Sequence, residues 1–120
     1  MHAVFSLAGN GPTNELIQEL DPILHSHGVQ LYLSGHDHNL QLIEHQNSRL
    51  PQYIVSGAGG YNVHPALKPD VNASLNAGVR SRFSHLGHGF VALSISRDEL
   101  KAEFVDSDAK MIHSAVIPHQ

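Results

Sequence analysis

Two histidines separated by a single residue, His36 and His38, follow an apolar run in the stretch LYLSGHDHNLQ, Leu31 to Gln41. A neutral imidazole carries a lone pair that binds transition metals, and the same ring titrates near neutral pH. In an extended segment, residues i and i+2 point to the same side. His36 and His38 are therefore expected to offer two nitrogens to one metal ion, or one each to two neighbouring ions. Asp37 is expected to point away, where it orients a ligand or is solvated. Strand ends are also where α/β folds build their sites. The plainer reading is a polar turn with two surface histidines, in a chain with 11 histidines among 120 residues.

The remaining histidines carry weaker signals. His25 and His27 close an expected helix, where positive charge is favourable, so capping is expected of them rather than ligation. His85 and His88 stand at the start of an expected strand. His64, His113 and His119 are expected at the surface. His45 lies on an expected strand and its role stays open.

The elements that must position these groups follow from the pattern of apolar residues. Ala3 to Leu7 reads as a short strand, followed by the turn cluster AGNGPTN. Leu16, Ile17, Leu20, Ile23 and Leu24 recur at helical spacing and are expected to face the core. Asp21-Pro22 interrupts that helix and is also a good cap and first-turn pair, so a kink or a restart is expected there. Val29 to Leu33 reads as a strand that delivers His36-Asp37-His38 onto the next turn. NLQLIEH and QYIVS are two further strands. GAGG after them is a tight turn or a close approach of backbone. Tyr61 to Ser84 reads as a long irregular loop. GFVALSIS, LKAEFVDS and MIHSAVIP alternate as an antiparallel meander of three strands. The order implies one α/β layered domain over residues 1–120.

Composition narrows the function classes. The net charge is −4 with neutral histidines, and no basic stripe points to nucleic acid. No basic amphipathic helix or membrane-spanning run points to a membrane. The chain has no cysteine, which excludes disulfides, zinc–thiolate sites and thiol nucleophiles. The start, MHAVFSLAGN, has neither the basic residues nor the apolar core expected of a signal peptide. Asn72-Ala73-Ser74 matches a glycosylation sequon.

Four stretches together carry a family resemblance: HAVFSLAGNGPT, ELIQELDPIL, HGVQLYLSGHDHNLQLI and YIVSGAGG. With the tail GFVALSISRDELKAEFVDSDAK, they resemble the C-terminal part of a calcineurin-like metallophosphoesterase of the tartrate-resistant, purple acid phosphatase branch. The resemblance implies an incomplete domain: the C-terminal part of a two-sheet sandwich flanked by helices, with exposed sheet edges. It implies hydrolysis of phosphomonoesters at a dinuclear metal centre, iron plus iron, zinc or manganese. Such centres clamp phosphate and generate hydroxide. By resemblance, His36 would hold the divalent metal and His38 the iron. The branch often secretes its members or sends them to lysosomes.

The family's other ligands, in Asp-x-His, Gly-Asp and Gly-Asn-His motifs, have no counterpart here. A further family ligand precedes the strand in His-x-Pro-Val-x-Ser. Aligning Val4-Phe5-Ser6 with it puts Met1 on the ligand position and His2 on the variable one. The family's His-Gly-Pro-Thr is Asn10-Gly11-Pro12-Thr13 here, so Asn10 is expected to donate a hydrogen bond to substrate but cannot act as an acid. The chain is expected to be inactive by itself, because it supplies too few ligands. Two other readings stand beside this one. A cupin-like metal-binding barrel would use Glu44, six residues after His38, although the helical segment does not suit a barrel. A non-catalytic phosphatase remnant or interaction module would keep the fold without the chemistry.

Overall fold

The computed structural model describes residues 1–8, 10–63 and 76–118. His64, His119, the Asn72 sequon and the middle of the expected loop lie outside the described residues. Two short helices, α1 (Asn14–Glu19) and α2 (Asp21–Ser26), precede seven strands. These are β1 (Leu31–Ser34), β2 (Leu40–His45), β3 (Gln52–Ser56), β4 (Val79–His85), β5 (Gly89–Ile95), β6 (Leu100–Asp106) and β7 (Met111–Ile117). The first sheet has the order β1-β3-β2-β4, with β1 and β3 parallel and the other pairs antiparallel. The second is the antiparallel meander β5-β6-β7. The architecture is a mixed α/β fold of two sheets, dominated by strands. With both sheets open, it is not a cupin barrel.

Alternation along the strands decides what each face meets. On β2, Leu40 and Leu42 face the second sheet and join Ile54, Leu100, Ala102, Phe104, Ala115 and Ile117 in a buried core. The intervening residues, Gln41, Ile43 and His45, face the opposite side. There Ile43 packs with Val4, Phe5, Tyr53 and Val79, and the helices cover them with Leu16, Ile17 and Leu24. The two sheets thus pack face to face with the helices outside, as the resemblance implies. Ile23 departs from the helical stripe: it is 53% exposed. The chain restarts at Asp21-Pro22, so the second helix presents a different face.

Two expected elements differ. Ala3 to Leu7 forms no strand. Its apolar residues are buried, but the Val4 carbonyl accepts from the Thr13 N–H at 3.1 Å instead of a ladder partner. The β-like composition of this segment reflects burial against a sheet face, which favours the same residue types. Conversely, Val79–His85, of which all but His85 falls in the expected loop, is a strand paired with β2. Its Arg and Ser residues read as loop because β4 pairs on one side only and leaves most of its side chains exposed. Asp21-Pro22 is a restart: Pro22 sits in the first turn of α2, where its missing N–H has no partner to lose. No helix among the described residues is long and apolar enough to cross a membrane.

Candidate functional site

The Gly35-His36-Asp37-His38 segment leaves β1 as a bend rather than as extended chain. His36 adopts the left-handed conformation, with φ of 70°. The Asp37 N–H donates to Gly35 O and the Asn39 N–H to Asp37 O, both at 2.8 Å. The strand-like i, i+2 geometry expected of the histidine pair is therefore replaced by two tight turns. GAGG makes the close approach its sequence suggests: a Cβ on Gly57 would collide with the Asp37 carbonyl. The Gly57 N–H also donates to Asn39 O at 3.0 Å, so the bend lies directly on the end of β3.

Asp37 is not solvated. It is 1% exposed, and both carboxylate oxygens are engaged. The Ser6 hydroxyl donates to Oδ2 in a very short hydrogen bond. Asn10 Nδ2 donates to Oδ1 at 2.7 Å. A buried carboxylate must find such donors, because an unpaired one costs several kcal/mol, roughly. The Ser6 oxygen also accepts from Gln41 Nε2 at 3.0 Å and from the Ala8 N–H at 3.1 Å. Gln41 Nε2 also donates to Asn39 Oδ1 at 2.9 Å, and Gln41 Oε1 accepts from the Leu7 N–H at 3.1 Å. Asn76 Nδ2 donates to Ser6 O at 3.1 Å. This network clamps the irregular N-terminal segment to the histidine bend. The expectation for Asn10 meets a competing task, since its amide is held by Asp37.

The histidines of the bend lie at the rim of the clamp. His36 is exposed, and the His2 ring lies beside it with 4.3 Å between centroids. Met1, which the alignment places on a ligand position, is held by its carbonyl accepting from the Gly35 N–H at 3.2 Å. His38 is half-buried, with its ring edge-on to Tyr61 at 5.4 Å. Glu44 does not join this place: Arg80 holds it at 2.5 Å and Arg82 at 3.7 Å.

A second cluster, which sequence reasoning missed, stands at the far end of the same β2 face. Asp21, His25 and His45 bring one ligand atom each within 4.8 Å of one another. His25 Nε2 and His45 Nε2 are 2.9 Å apart and lie 3.5 and 3.4 Å from Asp21 Oδ2. The Tyr53 hydroxyl donates to Asp21 Oδ1 in a very short hydrogen bond and lies 2.9 Å from His45 Nε2. Burial pushes the Asp21 pKa up, but hydrogen bonds with His45 and Tyr53 and the charges of His45 and His25 outweigh it, leaving the carboxyl below its usual value. Burial raises the Tyr53 phenol, and the neighbouring Asp21 raises it further. The one sequence signal was Asp21 and His25 at i, i+4 in a helix; nothing in the sequence links them to His45.

Other histidines sort themselves by contact. His27 Nδ1 lies 3.0 Å from Ile23 O at the end of α2, which fits its expected capping role. His113 is not a surface residue: its ring stacks on Phe83 at 4.4 Å and 6°, and Nε2 is buried without a hydrogen-bond partner. Burial, with help from Arg82, lowers its pKa. His88 Nε2 lies 2.6 Å from Tyr61 O.

Comparison with known proteins bears on these places. No protein-family model matches the chain. Tartrate-resistant acid phosphatase type 5 of Homo sapiens is 30% identical over 123 residues, covering 99% of this chain and 36% of that protein. Purple acid phosphatase 17 of Arabidopsis thaliana is 34% identical over 119 residues, covering 99% of this chain and 34% of that protein. A solved structure described as GAP50, the anchor in the inner membrane complex of Plasmodium, superposes with a TM-score of 0.77 at 22% identity. That match covers 99% of this chain and 35% of the other, and it shows a shared fold. The chain is thus homologous to tartrate-resistant and purple acid phosphatases over nearly its whole length. It spans about a third of the length of the relatives it matches.

Proposed function

We propose that this chain is the C-terminal portion of an acid phosphatase-like phosphomonoester hydrolase, carrying the last ligand motif of its dinuclear metal centre. His36 and His38 are the ligands in this reading. The observation that carries it is the clamp on Asp37. In a chain matching acid phosphatases over nearly its whole length, the middle residue of Gly-His-Asp-His is buried and tied by Ser6 and Asn10, which leaves the flanking imidazoles at the rim. Asn10 serves first to hold Asp37, and any contact with substrate is secondary to that.

The residues present fit only part of a dinuclear centre. Imidazoles suit iron, zinc and manganese-type ions unequally, and two such ions also need a bridging carboxylate. Asp37 has both oxygens occupied by Ser6 and Asn10, so it does not supply the bridge. The chain's own contribution is to position two imidazoles on a rigid bend.

The test is turnover of p-nitrophenyl phosphate near pH 5 with iron and zinc supplied, comparing the chain with His36→Ala/His38→Ala. The expected result is no enzymatic turnover by either protein, with one weak zinc site lost from the variant in calorimetry. Robust turnover that depends on both histidines would overturn the half-site reading. Unchanged zinc binding in the variant would overturn the ligand assignment.

A further inference from the structure

We infer that Asp21, His25 and His45 form a second divalent-metal site of zinc type, with Tyr53 orienting the carboxylate. The site shares no residue with the His36–His38 bend and does not depend on the phosphatase reading.

The three donors come from different parts of the chain and converge by ordinary geometry. Asp21 and His25 are one helical turn apart and lie on one face of α2. His45 is the last residue of β2 and shares a strand face with Ile43 and Gln41. Packing of the helices against that face closes the triangle.

Its dimensions fit an ion. Zinc binds imidazole nitrogen at about 2.0–2.1 Å and carboxylate oxygen at about 2.0–2.2 Å, so the edges of a tetrahedral site measure about 3.3–3.5 Å. The observed edges are 2.9, 3.5 and 3.4 Å. Three ligand atoms therefore outline one face of a tetrahedron and need to shift by only a few tenths of an ångström. A proton on either ring nitrogen satisfies one contact of the triangle at a time. An ion engages all three lone pairs at once.

The surroundings support the assignment. Tyr53 donates to the second carboxylate oxygen, Oδ1, and its hydroxyl also lies 2.9 Å from His45 Nε2, the kind of outer support that fixes ligands in metal sites. The Phe5 ring packs edge-on to both His45 and Tyr53, at 5.3 and 5.1 Å. The side chains of Asp21 and His45 are 10% and 17% exposed, while that of His25 is 33% exposed, so one side stays open for ion entry and for a water as fourth ligand. Two nitrogens and one oxygen suit zinc better than calcium or magnesium, which take oxygen ligands.

The experiment uses the full chain with zinc chloride or cobalt chloride alone. In the His36→Ala/His38→Ala background, calorimetry should show one zinc retained. Cobalt at the same place should give the visible bands of a tetrahedral ion. Adding His45→Gln or His25→Gln should weaken zinc binding by at least about tenfold, since loss of an outer support already costs that much. His25 is the more exposed ligand, so its variant keeps the test open should His45→Gln fail to fold. Zinc affinity unchanged by His25→Gln, or cobalt spectra without tetrahedral bands, would overturn the inference.

Discussion

The two ends of the β2 face each hold a buried aspartate, and the two carboxylates are handled in opposite ways. Asp37 is met by an alcohol and an amide, neither of which titrates or binds metal at neutral pH. Asp21 is met by a phenol on one oxygen and by two imidazoles on the other. Gln41 faces the first network and His45 the second, four residues or about 13 Å apart along one strand, with Ile43, Val4 and Phe5 packed between them. A carboxylate saturated by non-titrating donors is a structural tie. A carboxylate faced by two imidazole nitrogens has metal-competent partners. At the first end the metal-competent groups are therefore the neighbours of the aspartate, and at the second they include the aspartate itself.

The contrast between the two ends depends most on Asp37. Replacing it with alanine leaves the Ser6 and Asn10 donors without their charged acceptor. Hydrogen bonds to charged groups contribute about 1.5–3 kcal/mol each, so urea unfolding should show a loss of about 3 kcal/mol or more. A loss below about 1 kcal/mol would mean that Asp37 is not the tie that holds the bend.

Zinc should act next most strongly, and mainly through the other end. An ion at one hundred times its dissociation constant stabilises the native chain by up to about 2.7 kcal/mol, less whatever the unfolded histidines bind. The thermal midpoint of wild type and of His36→Ala/His38→Ala should rise with zinc, while that of Asp21→Asn should rise less, by what the weak His36–His38 site contributes. A rise in Asp21→Asn equal to that of wild type would erase the distinction between the ends.

A smaller effect is expected at His113, a histidine in neither place. Its folded pKa is depressed by burial, so the unfolded chain binds the proton more readily. Stability from this group is complete above its ordinary value of 6.5 and falls as pH drops below that value toward the folded pKa. His113→Phe should raise stability by about 1 kcal/mol near neutrality, because it removes a buried nitrogen without a partner. The gain should widen below pH 6.5. Denaturation at a series of pH values checks both, and a gain that shrinks on acidification would mean that the folded chain does not depress the His113 pKa.

The smallest effect should come from the bend histidines themselves. With the turn held by Asp37, His36→Ala at an exposed position should change stability by no more than about 0.5 kcal/mol, and His38→Ala, which also loses the ring contact with Tyr61, by less than about 1 kcal/mol. A cost above about 1 kcal/mol for either would assign it a structural task and weaken its claim as a ligand.

Much of the frame was legible in the residues. The meander of β5, β6 and β7 followed from period-two alternation, and the helix restart from Asp21-Pro22. The close approach at GAGG followed from its glycines. What failed did so for identifiable reasons. Ala3 to Leu7 and Val79 to His85 were exchanged, one read as strand and the other as loop, because apolar content tracks burial rather than pairing. An apolar segment can cover a sheet without joining it, and a polar segment can pair at an edge. His113 was misplaced because nothing local shows that it stacks on Phe83.

For the sites, the sequence determined the identity and spacing of Gly-His-Asp-His, the likeness to acid phosphatases, and the helical i, i+4 relation of Asp21 to His25. Those are properties of neighbouring residues, and local geometry suffices to read them. Only the tertiary structure decided that Asp37 turns inward to Ser6 and Asn10, that His2 comes beside His36, and that His45 meets Asp21. Each of these joins segments separated by tens of residues. Such contacts are set by which sheet face a helix or an N-terminal segment covers, and packing of the whole core chooses that face.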